Sequence, residues 1–173
     1  PAERVLPLGE VLDAERAPLR PVALRASSVE QTKEGPVPAL WRGEGRVFVA
    51  PGTALDDGWR SAPTPTRQWL ELDLGERRHF GGLTLEWESG RQARRYSVQA
   101  SDDGRQWETL LDVSQGLGGY EPLYLPASRG RYLRLELLQP AGKAGYALAG
   151  LRVEPSEFTL SPNRFLESLA RRS

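Results

Sequence analysis

The stretch RRYSVQASDDGRQWETLLDV, residues 94–113, decides how the chain is read. Successive side chains of an extended strand alternate between faces, so Tyr96, Val98 and Ala100 share one side. The following DDG has the chemistry of a hairpin turn, which makes Asp102 and Asp103 turn residues, and RQWETLLDV is the returning strand. A period-two segment, a turn and a second segment are the unit of an antiparallel sheet.

The same scheme extends in both directions. Upstream, QWLELDLG (68–75) places Leu70, Leu72 and Leu74 on one face with Glu71 and Asp73 opposite. GGLTLEWE (81–88) repeats it with Leu83, Leu85 and Trp87 against Thr84, Glu86 and Glu88, and SGRQA makes a tight connection to Arg94. Downstream, PLYLP, RYLRLELL (with Leu133, Leu135 and Leu137 inward) and YALAGLRVE are three further strands. Half-buried antiparallel strands need two layers to cover their apolar faces. The expected fold is therefore an all-β antiparallel β-sandwich beginning at Val22. Before it, residues 1–21 hold scattered apolar residues and prolines, and are expected to form an irregular lead-in laid over the domain. After it, residues 156–173 form a linker and a short helix, with Ser161 as cap, Pro162 in the first turn and Phe165, Leu166 and Leu169 on one stripe. The chain starts at Pro1 without a methionine and the helix reaches Ser173 without a stop signal, so a processed or excised part of a larger protein is expected.

Composition narrows the function. Lys plus Arg and Asp plus Glu both number 23, which supplies no overall field for nucleic acid or anionic lipid. There is no cysteine and one histidine, His79, so thiolate chemistry and a multi-histidine zinc site are excluded. No apolar run approaches the roughly 20 residues of a membrane helix. Nucleophile elbows, phosphate loops and His-Glu-His patterns are missing, and no enzyme is expected.

The order and spacing of QWLELDLG, GGLTLEWE, RRYSVQASDDGRQWETL, RYLRLELL and YALAGLRV resemble a discoidin domain, the factor V/VIII type C family, which includes many bacterial carbohydrate-binding modules. The resemblance covers about residues 22–155. It implies a jelly-roll sandwich with ligand loops at one end, and non-catalytic binding of glycans, phospholipid head groups or proteins. It also implies that ALDDGWRSAP (54–63) is a shortened copy of a loop that often holds calcium in the family. Asp56, Asp57 and Gly58 lead straight into Trp59, and Gly150 stands where the family commonly has a further carboxylate. Calcium takes about six to eight oxygens, so a turn without a metal is expected, with Asp56 and Asp57 as the weak alternative and no other cofactor. A catalytic pair is disfavoured, because glycosidase carboxylates face each other across roughly 5 to 10 Å and a second acid would have to be Glu86, Glu88 or Glu121.

A sugar site asks for an aromatic face and planar polar side chains. The loops expected at the ligand end supply Trp41, Arg42, Trp59, Arg60, Arg91, Tyr120 and Tyr146. Several of these have a structural reading beside the binding one. Trp59 matches a family tryptophan that packs beneath the sandwich mouth, Trp41 and Tyr120 could each pin its own loop, and Arg60 could pair with Asp56 or Asp57. Trp69, Trp87 and Trp107 belong to the core or its edge, and His79 to a solvated turn. The expected function is a carbohydrate-recognition module of a larger bacterial extracellular, periplasmic or cell-surface protein. The module is expected to be monomeric when isolated, without nucleic-acid binding or membrane insertion. The alternative is a structural module packed on a neighbouring domain with no free ligand.

Overall fold

The computed structural model describes residues 23–28, 30–32, 35–37, 46–48, 58–63 and 66–159. The lead-in, the tail helix and Trp41, Arg42, Asp56 and Asp57 lie outside them. Ten strands and a short 3-10 turn follow in order: β1 Ala23–Ala26, β2 Glu30–Thr32, β3 Gly35–Val37, β4 Arg46–Phe48, β5 Trp59–Arg60, β6 Gln68–Trp87, β7 Ala93–Ser101, β8 Glu108–Val113, β9 Tyr120–Pro140, β10 Ala147–Glu154 and the turn Ser156–Thr159.

Two long strands build both layers of an open sandwich. The first part of β6 (68–73) pairs with β1 and with the second part of β9, and the sheet continues in the order β4-β1-β6-β9-β7-β8. The second part of β6 (82–87) pairs with the first part of β9 and with β10, which carries β5 at its edge. All of these pairings are antiparallel. The first layer buries Leu70, Leu72, Leu74, Tyr96, Val98, Ala100, Leu133, Leu135 and Leu137; the second faces them with Leu83, Leu85, Trp87, Leu123, Leu125, Leu148 and Val153. Each fully buried leucine contributes on the order of 2 kcal/mol of transfer free energy.

The alternation reading therefore holds for every inward residue it named, but not for strand count. QWLELDLG and GGLTLEWE are one strand, and PLYLP and RYLRLELL are another. Between their halves the register shifts from Asp73 to Arg78 and from Phe80 to Gly82, so the ladder bends without ending. His79, expected in a turn, sits in this bend opposite Arg129, exposed and still in the ladder. Asp73 pins the bend: it accepts the Gly75 N–H at 2.8 Å and two Arg131 donors at 2.9 and 3.0 Å.

The outward faces are less exposed than the alternation suggests. Glu71 points away from the core yet is 3% exposed, because Arg25 and Arg134 close on its carboxylate at 3.1 and 3.0 Å. Arg134 also lies 5.5 Å from the Trp69 ring centroid and 3.9 Å from that of Trp107, stacking geometry for a guanidinium. On the second layer Thr84 donates to Glu154 at 2.6 Å, and Phe158 of the 3-10 turn packs over Gly82, where a side chain would collide with its ring.

Candidate functional site

Both ends of β6 and the start of β10 converge on one end of the sandwich, here called the mouth. β5 is anchored there by the ladder Arg60 to Ala147 and Trp59 to Leu148. Gly58 makes that approach feasible: its φ is +70°, and a Cβ would lie 2.6 Å from the Leu148 carbonyl oxygen. Trp59 then turns inward, 2% exposed, and its indole donates to the Ser28 carbonyl at 3.0 Å. Ser61 continues the framework, its hydroxyl accepting the Tyr146 N–H and its N–H donating to the Tyr146 carbonyl, both at 2.9 Å.

Above this framework lies a charged cluster. Arg60 donates through Nε to both Glu88 oxygens, at 2.9 and 3.1 Å, and approaches Glu30 at 3.8 Å. Arg91 contacts Glu30 at 3.3 Å and donates to the Ala144 carbonyl at 2.7 Å. Hydrogen bonding to Glu88 raises the Arg60 guanidinium above its usual range, so its positive charge is retained. Glu30, Glu88 and Arg60 remain partly open to solvent, whereas the Arg91 side chain is only 14% exposed. Arg60 and the two glutamates can thus meet a ligand directly; Arg91 holds Glu30 from below.

The loop over residues 114–119 enters the same end. Gly116 approaches Ala93 so closely that a Cβ would clash with its carbonyl, and Gly119 accepts the Trp87 N–H at 2.8 Å. Tyr120 follows, 47% exposed, at the start of β9 opposite Glu86, which precedes Glu88 by two residues at the end of β6. Glu121, the next residue, turns inward and takes the Trp87 indole N–H at 2.9 Å. Burial, and then the charge of Glu121, push the Tyr96 phenol beneath it far above its ordinary value.

Of the residues expected at the site, Arg60 and Tyr120 are open to solvent, and Arg91 is mostly buried against Glu30 and the Ala144 carbonyl. Tyr146 and Trp59 are closed to solvent. Tyr146 is fully buried, and burial pushes its phenol up to about 12, so it supports the mouth from inside and presents no ring to a ligand. Trp59 takes its packing reading. Among the described residues Arg60 pairs with Glu88 and Glu30; Asp56 and Asp57, its expected partners, lie outside them. Glu30 and Glu88 were not among the expected binding residues; Glu88 carried a signal in its position just before the SGRQA connection, while Glu30 reaches the cluster only through tertiary folding. Among the described residues no group of three or more acidic or histidine side chains comes together to hold a metal ion. Beside Gly150 the nearest carboxylate is that of Glu86, close to where a Cβ would stand.

A jelly-roll-like sandwich with its polar cluster on the loops of one end defines a class of small recognition domains, and the comparisons agree. The F5/8 type C domain matches residues 24–151, and the chain belongs to that family. Mouse Neuropilin-1 is 29% identical over 65 residues, 34% of this chain and 7% of that protein, so the chain spans only a small part of its curated relative. Chitosan-binding module 1 of the chitosanase/glucanase from Paenibacillus sp. IK-5 is 26% identical with a TM-score of 0.62, covering 79% of this chain and 98% of the module. Module 2 of the same enzyme, solved with chitotriose, is 24% identical with a TM-score of 0.63 over 79% and 98% of the two chains. Both of these structures are chitosan-binding modules, the second solved with a bound sugar.

Proposed function

We propose that the chain is a non-catalytic carbohydrate-recognition module of a larger polypeptide and that its ligand lies over the mouth. The observation that carries this reading is the open Arg60–Glu88–Glu30 cluster, together with the half-exposed Tyr120 opposite Glu86 on the neighbouring strand. A guanidinium donates to sugar hydroxyls, carboxylates accept from hydroxyls or ammonium groups, and a tyrosine ring covers pyranose C–H bonds. Two carboxylates at the rim suit an amino sugar. The 26% identical module that covers nearly its whole length binds chitosan, which makes glucosamine oligomers the first ligands to try. Of the acids that could stand opposite Glu88, Glu121 accepts the Trp87 indole N–H and Glu86 is exposed to solvent. The module's contribution is then targeting by modest affinity, amplified by its neighbours.

Calorimetric titration with chitosan oligosaccharides and a panel of neutral ones tests this. Binding is expected, and Glu88→Ala and Tyr120→Ala should each weaken it by about tenfold, ~1.4 kcal/mol, without changing the thermal midpoint appreciably. No heat with any sugar at millimolar concentration, or full affinity in both variants, would overturn the assignment of the mouth.

A further inference from the structure

At the opposite end of the sandwich, roughly 20 Å away along six-residue strand segments, lies a second recess. It has a volume of about 430 Å³, within the range of small-ligand sites, and is bounded by the bend of β6 at Arg77, the bend of β9 at Arg129 and the β7–β8 hairpin. The hairpin floor is rigid. Asp103 accepts the N–H groups of Arg105 and Gln106 at 2.8 and 2.9 Å, and these bonds hold its carboxyl below the usual range; Ser101 takes the Gly104 N–H at 2.9 Å. Those two side chains are occupied by the turn itself.

The wall and rim are not. Trp107 stands in the wall, partly exposed, its ring fixed by Arg134 at 3.9 Å, which Glu71 holds in turn. The side chains of Arg129 and Glu108, both exposed on the rim, have no hydrogen-bond or ion-pair partner among the described residues. Arg77 and Asp102 pair at 3.0 Å with both side chains about half exposed, a surface bond weak enough to open for a ligand. The recess thus combines an immobilised aromatic with guanidinium donors, carboxylate acceptors and the Gln106 amide.

We infer that this recess is a second carbohydrate site, separate from the mouth, that takes a neutral pyranose unit. Its two arginines face three carboxylates, so no net positive charge selects a phosphate or a nucleic acid. Hydroxyl groups, which donate and accept together, match alternating donors and acceptors better than any single-charge ligand does. The partly exposed indole supplies apolar ring surface of the kind pyranose C–H groups pack on.

The test is an amide and indole NMR titration of the whole chain with neutral trisaccharides of glucose, galactose and N-acetylglucosamine, which reads the two ends independently. The Trp107 indole N–H and the amides of Gln106 and Glu108 should shift saturably with at least one of these sugars. An Arg129→Ala, Glu108→Ala double variant changes two exposed side chains; it should keep a dispersed spectrum, weaken the distal response by about tenfold or more, and leave any response of Arg60 and Tyr120 unchanged. Shifts confined to the mouth, no shift with any sugar, or distal shifts of undiminished affinity in the double variant would each overturn the inference. A distal response with a silent mouth would support it while removing the mouth assignment, so the two proposals fail separately.

Discussion

Gly58 is the residue on which the DDGW turn depends. Two aspartates before a tryptophan invite a metal or catalytic reading, but the glycine between them and the indole is the constrained position. Gly58→Ala would place a methyl group 2.6 Å from a backbone oxygen in a left-handed conformation, with no flexible side chain to yield. A loss of about 1 to 3 kcal/mol is expected from urea unfolding, without a change in slope; a loss below about 0.5 kcal/mol would show that β5 is not held against Leu148 as described. At this scale the sequence was informative about chemistry and poor about direction. Arg60 and Tyr120 were recognisable as residues that stay open to solvent. Tyr146 was not recognisable as buried, because an aromatic following Lys-Ala-Gly looks like a loop tip until Ser61 is seen bonding both its N–H and its carbonyl. Glu30 had no local signal at all.

Among the elements, β6 and β9 matter most, since each changes layer without interrupting its ladder. GERRHF and PASRG look like breaks because their side chains are polar or turn-forming, yet backbone pairing does not require apolar side chains. Alternation therefore identified the half-strands and missed their continuity. The fixed point of the bend is Asp73, whose carboxyl is held below its usual range by Arg131 first and the Gly75 N–H second, against the opposing effect of burial. A carboxyl depressed on folding stabilises the protein above its unfolded value of about 3.9, and that contribution disappears as the pH falls through the folded value. Asp73→Asn should consequently lower the thermal midpoint at pH 7 and show a smaller drop between pH 7 and pH 3 than the wild type. An equal acid drop in both proteins would mean that Asp73 does not pin the bend. Asp103 shares the sign of the effect, so part of the acid sensitivity should survive in the variant.

For the molecule as a whole, one apolar cluster joins both layers, and the class of fold followed from the period of two because so many inward positions are leucine, valine or aromatic. Function was legible only as a resemblance, since a ligand end exists only after strands distant in sequence are brought together. Recognition sites at both ends would let a single copy touch two polysaccharide strands. Added to a dilute suspension of an insoluble polysaccharide that it binds, the protein should raise turbidity and sedimentation. Either Glu88→Ala or the Arg129→Ala, Glu108→Ala pair should sharply reduce that effect while leaving single-strand binding through the other end. Aggregation that persists in both would mean that bridging does not depend on these sites.

The stack of Arg134 on Trp107 also makes the protein its own reporter. Trp59 and Trp87 are sealed in the core, so their emission should be blue-shifted and insensitive to solutes. Trp107 lies partly in water with a cation 3.9 Å from its ring, and its fluorescence should respond when that water is displaced. Trp69 is also partly exposed and Trp41 lies outside the described residues, so iodide quenching and its relief by sugar follow occupancy of the distal recess as the part of the response that Trp107→Phe removes.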